Sequence, residues 1–581
     1  MSGRKISLSQ PVPAVPNAQS QDNGPSSPPT EGGRDDGHGA SFWRNRLFEG
    51  GLVLALALYY LVGNSNIKLP FLQFLHVNPL LSLPFLLLFA VLAWQRLPMA
   101  VALLPLSLPY YLVQKEVVGS LQFSLVEITL WTCLAVAGLQ WVVQRRRWPY
   151  ASSLAQLRQR LGPFLWPILV FVVMSCVSIV IAYARANALR AFREEVLGPL
   201  LYLALALICL RTRRDVVRLL VALFSTGLMI ALLGILQYVF FKSTITADAS
   251  GLKRIATVYG SGNSIGLLFD YTLPVGLAFV FSRRFWQKRL VAFVLCLPLF
   301  FVLILSDSRG SWQFAIPLAT LFIIAFAIRN AKRLLVACLV CIVLCSTVLV
   351  LYHGQIYDYV FNGHSNQHGQ STVTKRIYLW ESAWAMIHDS PWLGYGLDNW
   401  LCHYSNSYSN RCLYPVPVPT KDRFDAKGHW IPVPPHPELH AYMIQKDENG
   451  VDTGLSDEPG LSHPHNIFLH VWVSIGIFGL LAFVAILAGF FWLFARILLY
   501  LRRVPGENNE RWRWMAIAVG AAMLAACVQG LGDSAFLEQD LAFCFWILVT
   551  VLLLVRALAG VSWQYVFLSK LPTSHGPSSV A

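Results

Sequence analysis

Charge is scarce in this chain. Only 13% of its 581 residues are Asp, Glu, Lys or Arg, about half of the ~25% usual for a soluble globular domain. That scarcity excludes an ordinary water-solvated domain. With 56% hydrophobic residues, the bulk of the chain is also neither disordered, nor collagen-like, nor a small disulfide scaffold. Acids are the scarcer sign: 30 Asp and Glu against 45 Lys and Arg leave a net charge of +15. In a soluble protein that excess would raise nucleic acid as a partner; in a membrane protein it must first be sorted by side. Residues 1–40 lack an apolar core and are rich in Pro, Ser, Gly and Asn, which predicts a disordered cytoplasmic tail rather than a signal peptide. No internal repeat is evident. No glycine-rich phosphate cradle occurs either: Gly260-Ser261-Gly262-Asn263 resembles one superficially, but it precedes a membrane helix on the outer side, where no nucleotide is expected.

Long apolar runs are abundant. A helix needs roughly 20 mostly apolar residues to cross the hydrocarbon core. Such runs recur near 48–63, 79–94, 97–113, 121–143, 163–183, 195–210, 215–241, 258–281, 290–305, 311–328, 333–352, 466–495, 512–530 and 540–559. The short second and third flank Gln95–Pro98, where a hairpin is the alternative. The expected fold is all-α: a polytopic helical membrane protein with about 12–14 transmembrane helices and one large extracytoplasmic loop. Its divisions are a tail at 1–45, helices over 46–352, the loop over 353–465, C-terminal helices over 466–560 and a second tail at 561–581.

Basic clusters fall on every second connection. They are Arg145, Arg146, Arg147, Arg158 and Arg160; Arg211, Arg213, Arg214 and Arg218; Arg283, Arg284, Lys288 and Arg289; Arg329, Lys332 and Arg333; and Arg496, Arg502, Arg503, Arg511 and Arg513. This alternation is the positive-inside pattern. It places both termini in the cytoplasm and the loop at 353–465 outside. The greater share of the basic excess is thereby topological and asks for no nucleic acid. Nine of the eleven cysteines lie inside apolar spans, where Cys behaves as a small hydrophobe. Cys402 and Cys412 lie together in the outer loop, where an oxidising compartment permits a disulfide, although nothing in the sequence requires one.

The outer loop opens with amphipathic helical character from Thr374 to Ile387, closed by a Pro391-Trp392-Leu393-Gly394-Tyr395-Gly396 turn. Its second half is proline-rich and reads as a lid or insertion. Ser462-His463-Pro464-His465-Asn466 follows, directly before a long apolar helix. A histidine at such a helix start titrates near neutral pH and can act as a base; the bland alternative is a histidine meeting water and headgroups. Gly476 and Gly479 stand three apart, which lets another backbone approach. Arg309, in Ser306-Asp307-Ser308-Arg309-Gly310, lies at an outer boundary. A charge at membrane depth costs about 2.5–3.5 kcal/mol and marks a site, unless Arg309 snorkels or pairs with Asp307. Arg376 heads the outer helix. Guanidinium groups suit bidentate binding of phosphate oxygens, so two arginines and a histidine on one face fit a lipid pyrophosphate. His463-x-His465 with His429, His436 and His440 matches no defined zinc spacing. Asp398, Glu381 and Asp389 are scattered and read as ordinary loop hydrogen-bonders, with no strong carboxylate pair.

Four segments together resemble the O-antigen ligase/polymerase superfamily of multi-pass envelope glycosyltransferases. They are Arg254 to Gly260 with Gly262-Asn263-Ser264; Ser306-Asp307-Ser308-Arg309-Gly310; Arg376 to Trp380 with Pro391 to Gly396; and His465-Asn466 followed by Gly476 and Gly479. They span about 250–480, under half the chain. The resemblance implies an undecaprenyl-pyrophosphate-linked glycan donor and a carbohydrate, lipid-glycan or protein acceptor, at the extracytoplasmic face of the cytoplasmic membrane. It implies His465 as the base that activates the acceptor hydroxyl and Arg309 and Arg376 as pyrophosphate ligands, with Arg254, Asn263, Asn466, Gly476 and Gly479 in support. Neither a metal nor another cofactor is implied. Ligase, polymerase and protein O-oligosaccharyltransferase members share these motifs and differ in acceptor. The segment 402–461 is longer than the family pattern, and the helix count is about two higher. A secondary transporter is the alternative from another class, kept open by Glu127 and Asp270 within spans but lacking an inverted repeat. A structural envelope scaffold rests on the proline-rich loop alone.

Overall fold

The computed structural model describes residues 36–66, 77–118, 121–143, 153–242, 245, 254–282, 285–328, 372–404, 442–444, 462–504 and 506–568. Helix dominates because a backbone in hydrocarbon must satisfy its own N–H and C=O groups. The chain divides between Gly50 and Gly51 into two units. The first carries the opening turns of α1 (Asp36–Leu61), which lie within the stretch expected as a tail; the second carries every other element.

Next come α2 (Leu83–Gln95) and α3 (Leu97–Leu103), with the break between them at Arg96. A small antiparallel hairpin follows, β1 (Lys115–Val118) on β2 (Leu121–Phe123), a feature the apolar pattern does not predict. The helices α4 (Leu125–Val143), α5 (Ser153–Leu161), α6 (Leu165–Ile181), α7 (Arg185–Ala191) and α8 (Gly198–Cys209) lead to α9 (Arg213–Phe240). A capping box starts α9: Thr212 Oγ1 accepts from the Asp215 N–H at 3.2 Å, and the Asp215 carboxylate accepts from the Thr212 N–H at 3.0 Å. Then follow α10 (Gly262–Ser282), α11 (Trp286–Leu305), α12 (Ile316–Ala327), α13 (Thr372–Asp389) and α14 (Trp400–Tyr404). Last are α15 (Ile467–Arg503), α16 (Glu507–Gly530), α17 (Gln539–Leu558) and α18 (Trp563–Leu568).

Among the described residues nine helices are long and apolar enough to cross a membrane, with two shorter apolar stretches over Pro79–Gln95 and Leu97–Tyr110. The apolar run expected at 333–352 lies outside the described residues, as do the proline-rich half of the outer loop and its His429, His436 and His440. The chain is thus a polytopic all-α membrane protein. Helices α10, α16 and α17 are the most buried of these spans and form its centre. On the periphery, Val180, Trp286 and Ile304 point outward, as a lipid-facing surface requires.

Side-chain contacts align the helix ends. At one end Arg513, near the start of α16, donates to the carbonyl of Phe326 at the close of α12. Arg496 of α15 donates to the Tyr565 carbonyl at 2.6 Å, and Arg556 of α17 to that of Val561 at 3.3 Å. At the other end the start of α15 meets the end of α16, because Asn466 Nδ2 donates to the Leu531 carbonyl at 3.1 Å. The start of α17 meets the approach to α10 there, where Tyr259 donates to Asp540 at 2.9 Å.

Helix α15 is broken at Gly476, with φ 71 and ψ −179. The Gly476/Gly479 spacing predicts a close backbone approach, and at Gly476 one exists, though the visitor is a turn rather than a helix. Tyr395 N–H donates to the Val473 carbonyl at 2.7 Å, Gly396 N–H to that of Ser474 at 3.0 Å, and Ile477 N–H to that of Pro391 at 3.1 Å. The carbonyls and N–H freed by the break are satisfied by the 391–396 turn. Gly479 answers a different neighbour, the side chain of Ile475, 2.4 Å from an added Cβ. This docking fastens α13 to α15, where Leu379, Ala383, Met386 and Ile387 bury against Trp400, Tyr404 and Val473.

A Cβ on Gly476 would stand 2.0 Å from the Trp392 carbonyl oxygen, in a backbone region that L-residues rarely adopt. Gly476→Ala should therefore destabilise the protein by about 2–4 kcal/mol. Thermal unfolding of the detergent-solubilised chain checks this: a lowered Tm is expected, and an unchanged one would contradict the docking.

Candidate functional site

The first half of the site is built where α11 turns into α12. Ser306 Oγ donates to the Leu303 carbonyl at 2.8 Å as α11 ends. Asp307 then takes a left-handed conformation, φ 46, and Arg309 leads into a π-helical turn over Gly310–Ala315. Such turns are frequent at functional sites. Helix α10 passes so close that a Cβ on Gly262 would be 2.4 Å from the Ser306 carbonyl oxygen, and one on Gly266 2.0 Å from Ser308 Oγ. Buried Asp270 of α10 accepts from Ser311 Oγ at 2.9 Å. Asp307 Oδ2 lies 3.4 Å from Arg309 Nε and 3.5 Å from Arg254 Nη2, so one carboxylate gathers two arginines. Arg254 is delivered by an extended segment whose Ile255 N–H donates to the Leu305 carbonyl at 3.3 Å. Asn263 occupies the first turn of α10.

The second half surrounds the start of α15. Asn466 caps that helix, its Oδ1 accepting from the N–H groups of Phe468 at 3.0 Å and Leu469 at 3.2 Å. His465 stands just before it in a left-handed conformation, φ 49. Among the described residues only Thr257, Asp307, Asp398 and His465 are non-glycines with positive φ. Three of the four flank or belong to the candidate site, where strain of about 1–3 kcal/mol each is characteristically held.

The connection between α16 and α17, residues 531–538, organises the rest. His465 Nδ1 lies 2.8 Å from Asp533 Oδ1, and Asp533 is buried. Asp533 Oδ1 also accepts from the Ser534 N–H at 2.9 Å, and among the described residues Oδ2 has no hydrogen-bond partner. Burial alone would push the Asp533 carboxyl up, but His465, His463 and Arg376 outweigh it and hold the group below the usual carboxylate range. An ionised carboxylate only accepts, so His465 Nδ1 is the donor in this contact. A Cβ on Gly532 would meet Arg376 Nη1 at 3.1 Å. A Cβ on Gly310, beside Arg309, would meet Gln529 Oε1 at 2.0 Å.

His463 meets His465 edge-on, their ring centroids 4.5 Å apart, and its Nε2 lies 3.9 Å from Glu538 Oε1. Burial first, then the facing His465, hold the His463 imidazole well below its ordinary value. Tyr111 donates to Glu538 Oε2 at 3.2 Å. Ligand atoms of His463, His465 and Asp533 lie within 4.8 Å of one another, a set able to hold a metal ion.

Of the residues singled out by sequence, His465 and Arg376 converge on the 531–538 connection, Arg254 and Arg309 share Asp307, and Asn466 caps the helix behind His465. Cys402 is disulfide-bonded, while Cys412 lies outside the described residues. Asp398 pairs with Arg190 at 3.1 Å. Glu127 pairs with Arg193 at 2.9 Å, so this intramembrane acid is neutralised within the protein. The sequence reading named Asp307 as a partner for Arg309 and missed its reach to Arg254, and it missed Asp533 and Glu538. Asp533, Glu538 and Asp540 within eight positions, in a chain poor in acids, were the available signal, and they gather the carboxylates that the sequence reading lacked.

Residues 291–426 match the family model described as O-antigen ligase. The matched stretch contains the Ser306–Gly310 turn, Arg376 and the 391–396 turn, and it supports the superfamily resemblance; Arg254 and His465 lie outside it. None of the curated proteins matches the chain.

The Glu538 carboxyl is raised to about 8, by burial first and then by Asp540 and Asp533, against the Tyr111 hydrogen bond. An unfolded Glu loses its proton near about 4.3. The folded state therefore holds the extra proton between these values, and stability from this group, full below about pH 4.3, is lost as pH rises through about 8. In Glu538→Gln that loss disappears. The Tm advantage of the variant over the parent should grow from about pH 5 to 8 and then level off; an advantage independent of pH would contradict the assigned environment.

Proposed function

We propose that this chain, with its O-antigen ligase match over 291–426, transfers a glycan from an undecaprenyl-pyrophosphate-linked donor to an acceptor hydroxyl. The observation that carries the reading is the His465–Asp533 pair with Arg376 beside it, at the end of the bundle that also holds Arg254 and Arg309. In this reading His465 Nε2 takes the proton of the acceptor hydroxyl while Asp533 steadies the resulting imidazolium. The acceptor oxygen bonds to the anomeric carbon, and the bond from that carbon to the pyrophosphate oxygen breaks. Its electron pair leaves with the polyprenyl pyrophosphate, whose charge the arginines balance. General-base action contributes about 10²–10⁴-fold, and stabilisation of the departing charge is the larger contribution. The reaction as written uses no metal.

The distribution of charge supports an outward face. The helix ends opposite the site carry Arg496, Arg502, Arg503 and Arg513, which by the positive-inside rule lie in the cytoplasm. The site then faces outward from a bacterial-type cytoplasmic membrane, where the lipid-linked donor and the glycan, lipid-glycan or protein acceptor meet. Polysaccharide polymerase and protein O-oligosaccharyltransferase activities use the same chemistry with another acceptor.

The test is transfer from a lipid-linked glycan by the reconstituted protein. His465→Ala should lose at least about 10²-fold in rate while inserting normally, and full activity would remove the proposed base. Arg309→Lys and Arg376→Lys keep the charge but lose the bidentate fork, so each should raise the KM for the donor. Unchanged donor dependence in both would assign them to snorkelling. Chelator treatment should leave the rate unaltered.

A further inference from the structure

Helix α13 buries one face and holds another over a cavity of about 700 Å³. The cavity is lined along one stripe by Ile377, Trp380, Glu381, Trp384, Ala385 and His388, with Asp389 closing the end. Residues spaced i, i+3, i+4, i+7 share a helix face. Tyr442 forms a further wall. It arrives on a short strap over 442–444, whose Tyr442 N–H donates to the His403 carbonyl at 2.9 Å and whose Ile444 N–H donates to Ser382 Oγ at 3.0 Å. Leu469, from the first turn of α15, completes the lining.

The aromatic groups are fixed by their edges. Trp380 Nε1 donates to the His465 carbonyl at 3.3 Å, so the cavity begins one residue from the proposed base. Trp384 is 58% exposed and stands perpendicular to Trp472 at 5.8 Å between centroids. Trp472 is itself held by its Nε1 bond to the Pro391 carbonyl at 2.9 Å. A hydrogen-bond chain runs along the rim: Tyr395 OH donates to Tyr442 OH at 2.9 Å, and Tyr442 OH to Asp389 Oδ2 at 2.7 Å. Exposed indoles near a membrane surface commonly belong to an interfacial belt. A belt, however, is convex and repeats apolar residues. This surface is concave, and it sets Glu381, His388 and Asp389 within a turn of the indoles. Apolar ring faces with a few placed polar groups are the composition of a small-molecule site. Among ligands, the one with an apolar C–H face and hydroxyls around its edge is a pyranose ring.

We propose that this cavity is a carbohydrate subsite, in which Trp380 and Trp384 stack on a sugar ring and Glu381 and Asp389 accept its hydroxyls. It rests on the transferase reading only in naming the sugar's source, the donor glycan or the acceptor glycan, since either must lie beside His465. Pyranose C–H groups meet the negative faces of the indoles, as the positive edge of an aromatic partner does. The carboxylates add direction to a contact that stacking leaves free to rotate.

Equilibrium dialysis of the full chain in detergent tests it, with radiolabelled oligosaccharide released by mild acid from the surface polysaccharide of the native cells. Trp384→Ala should weaken binding by about tenfold, Trp384→Phe should retain most of it, and Asp389→Asn should weaken it less than Trp384→Ala. Failure of the base, seen as continued transfer by His465→Ala, stays distinct from failure of the subsite, seen as unaltered binding in Trp384→Ala. In transfer assays a raised KM for the lipid-linked donor assigns the ring to the donor, and a raised KM for the acceptor assigns it to the acceptor. Unchanged oligosaccharide affinity in Trp384→Ala overturns the proposal. So does a Trp384-dependent quench by brominated acyl chains in nanodiscs, which would give the surface to the bilayer.

Discussion

A buried carboxylate needs a partner, and in this protein the partner of Asp533 is His465. Desolvating an unpaired carboxylate costs several kcal/mol, so the 2.8 Å contact is a condition for the 531–538 connection to exist in its buried form. Much else hangs from that connection. Its Leu531 carbonyl receives Asn466, Gly532 seats Arg376, and Glu538 faces His463. The same interaction makes Nδ1 the donor of the imidazole. In the proposed reaction structure and chemistry draw on this one hydrogen bond, and its removal would be felt in both.

The scaffold around it is rigid where the site is strained. Three largely buried helices meet beneath it, and α10 approaches the 306–310 turn closely enough that its Gly262 and Gly266 leave no space for a side chain. Against that support the chain holds Thr257, Asp307 and His465 in left-handed conformations. Such conformations persist only where their surroundings over-determine them. His465 is the proposed base, Asp307 pairs with Arg254 and Arg309, and Thr257 follows Arg254 by three residues. The break at Gly476 serves the same end by a different route: its freed backbone groups receive the 391–396 turn, which ties α13, with Arg376 and the aromatic cavity, to the helix that begins after His465.

Apolar length made the membrane fold readable, because a bilayer imposes helix and sets its span. The motifs made His465, Arg309 and Arg376 readable as a set. Asp533 was not readable: it lies 68 residues beyond His465, in a connection whose polarity looks like that of any loop, and no periodicity links the two. Asp307 was visible as a partner for Arg309, but its reach to Arg254 depends on how the 254–256 segment runs beside α11. The glycine pair at 476 and 479 predicted a close approach, yet spacing cannot say whether a helix or a turn makes it. The stripe of Trp380, Glu381 and Trp384 read as amphipathic helix. Only the strap at 442–444, arriving from a distant stretch of chain, turns that face into a cavity.

The most direct measurement is the steady-state rate of glycan transfer by Asp533→Asn in proteoliposomes, with KM for the donor followed alongside. Asn keeps the shape of the side chain and can still meet His465, but it carries no charge to stabilise an imidazolium. If His465 is the base and Asp533 its orienting partner, kcat should fall by about 10²–10⁴-fold with the donor KM nearly unchanged. A variant that transfers glycan at the parental rate would contradict the pairing as the centre of the site.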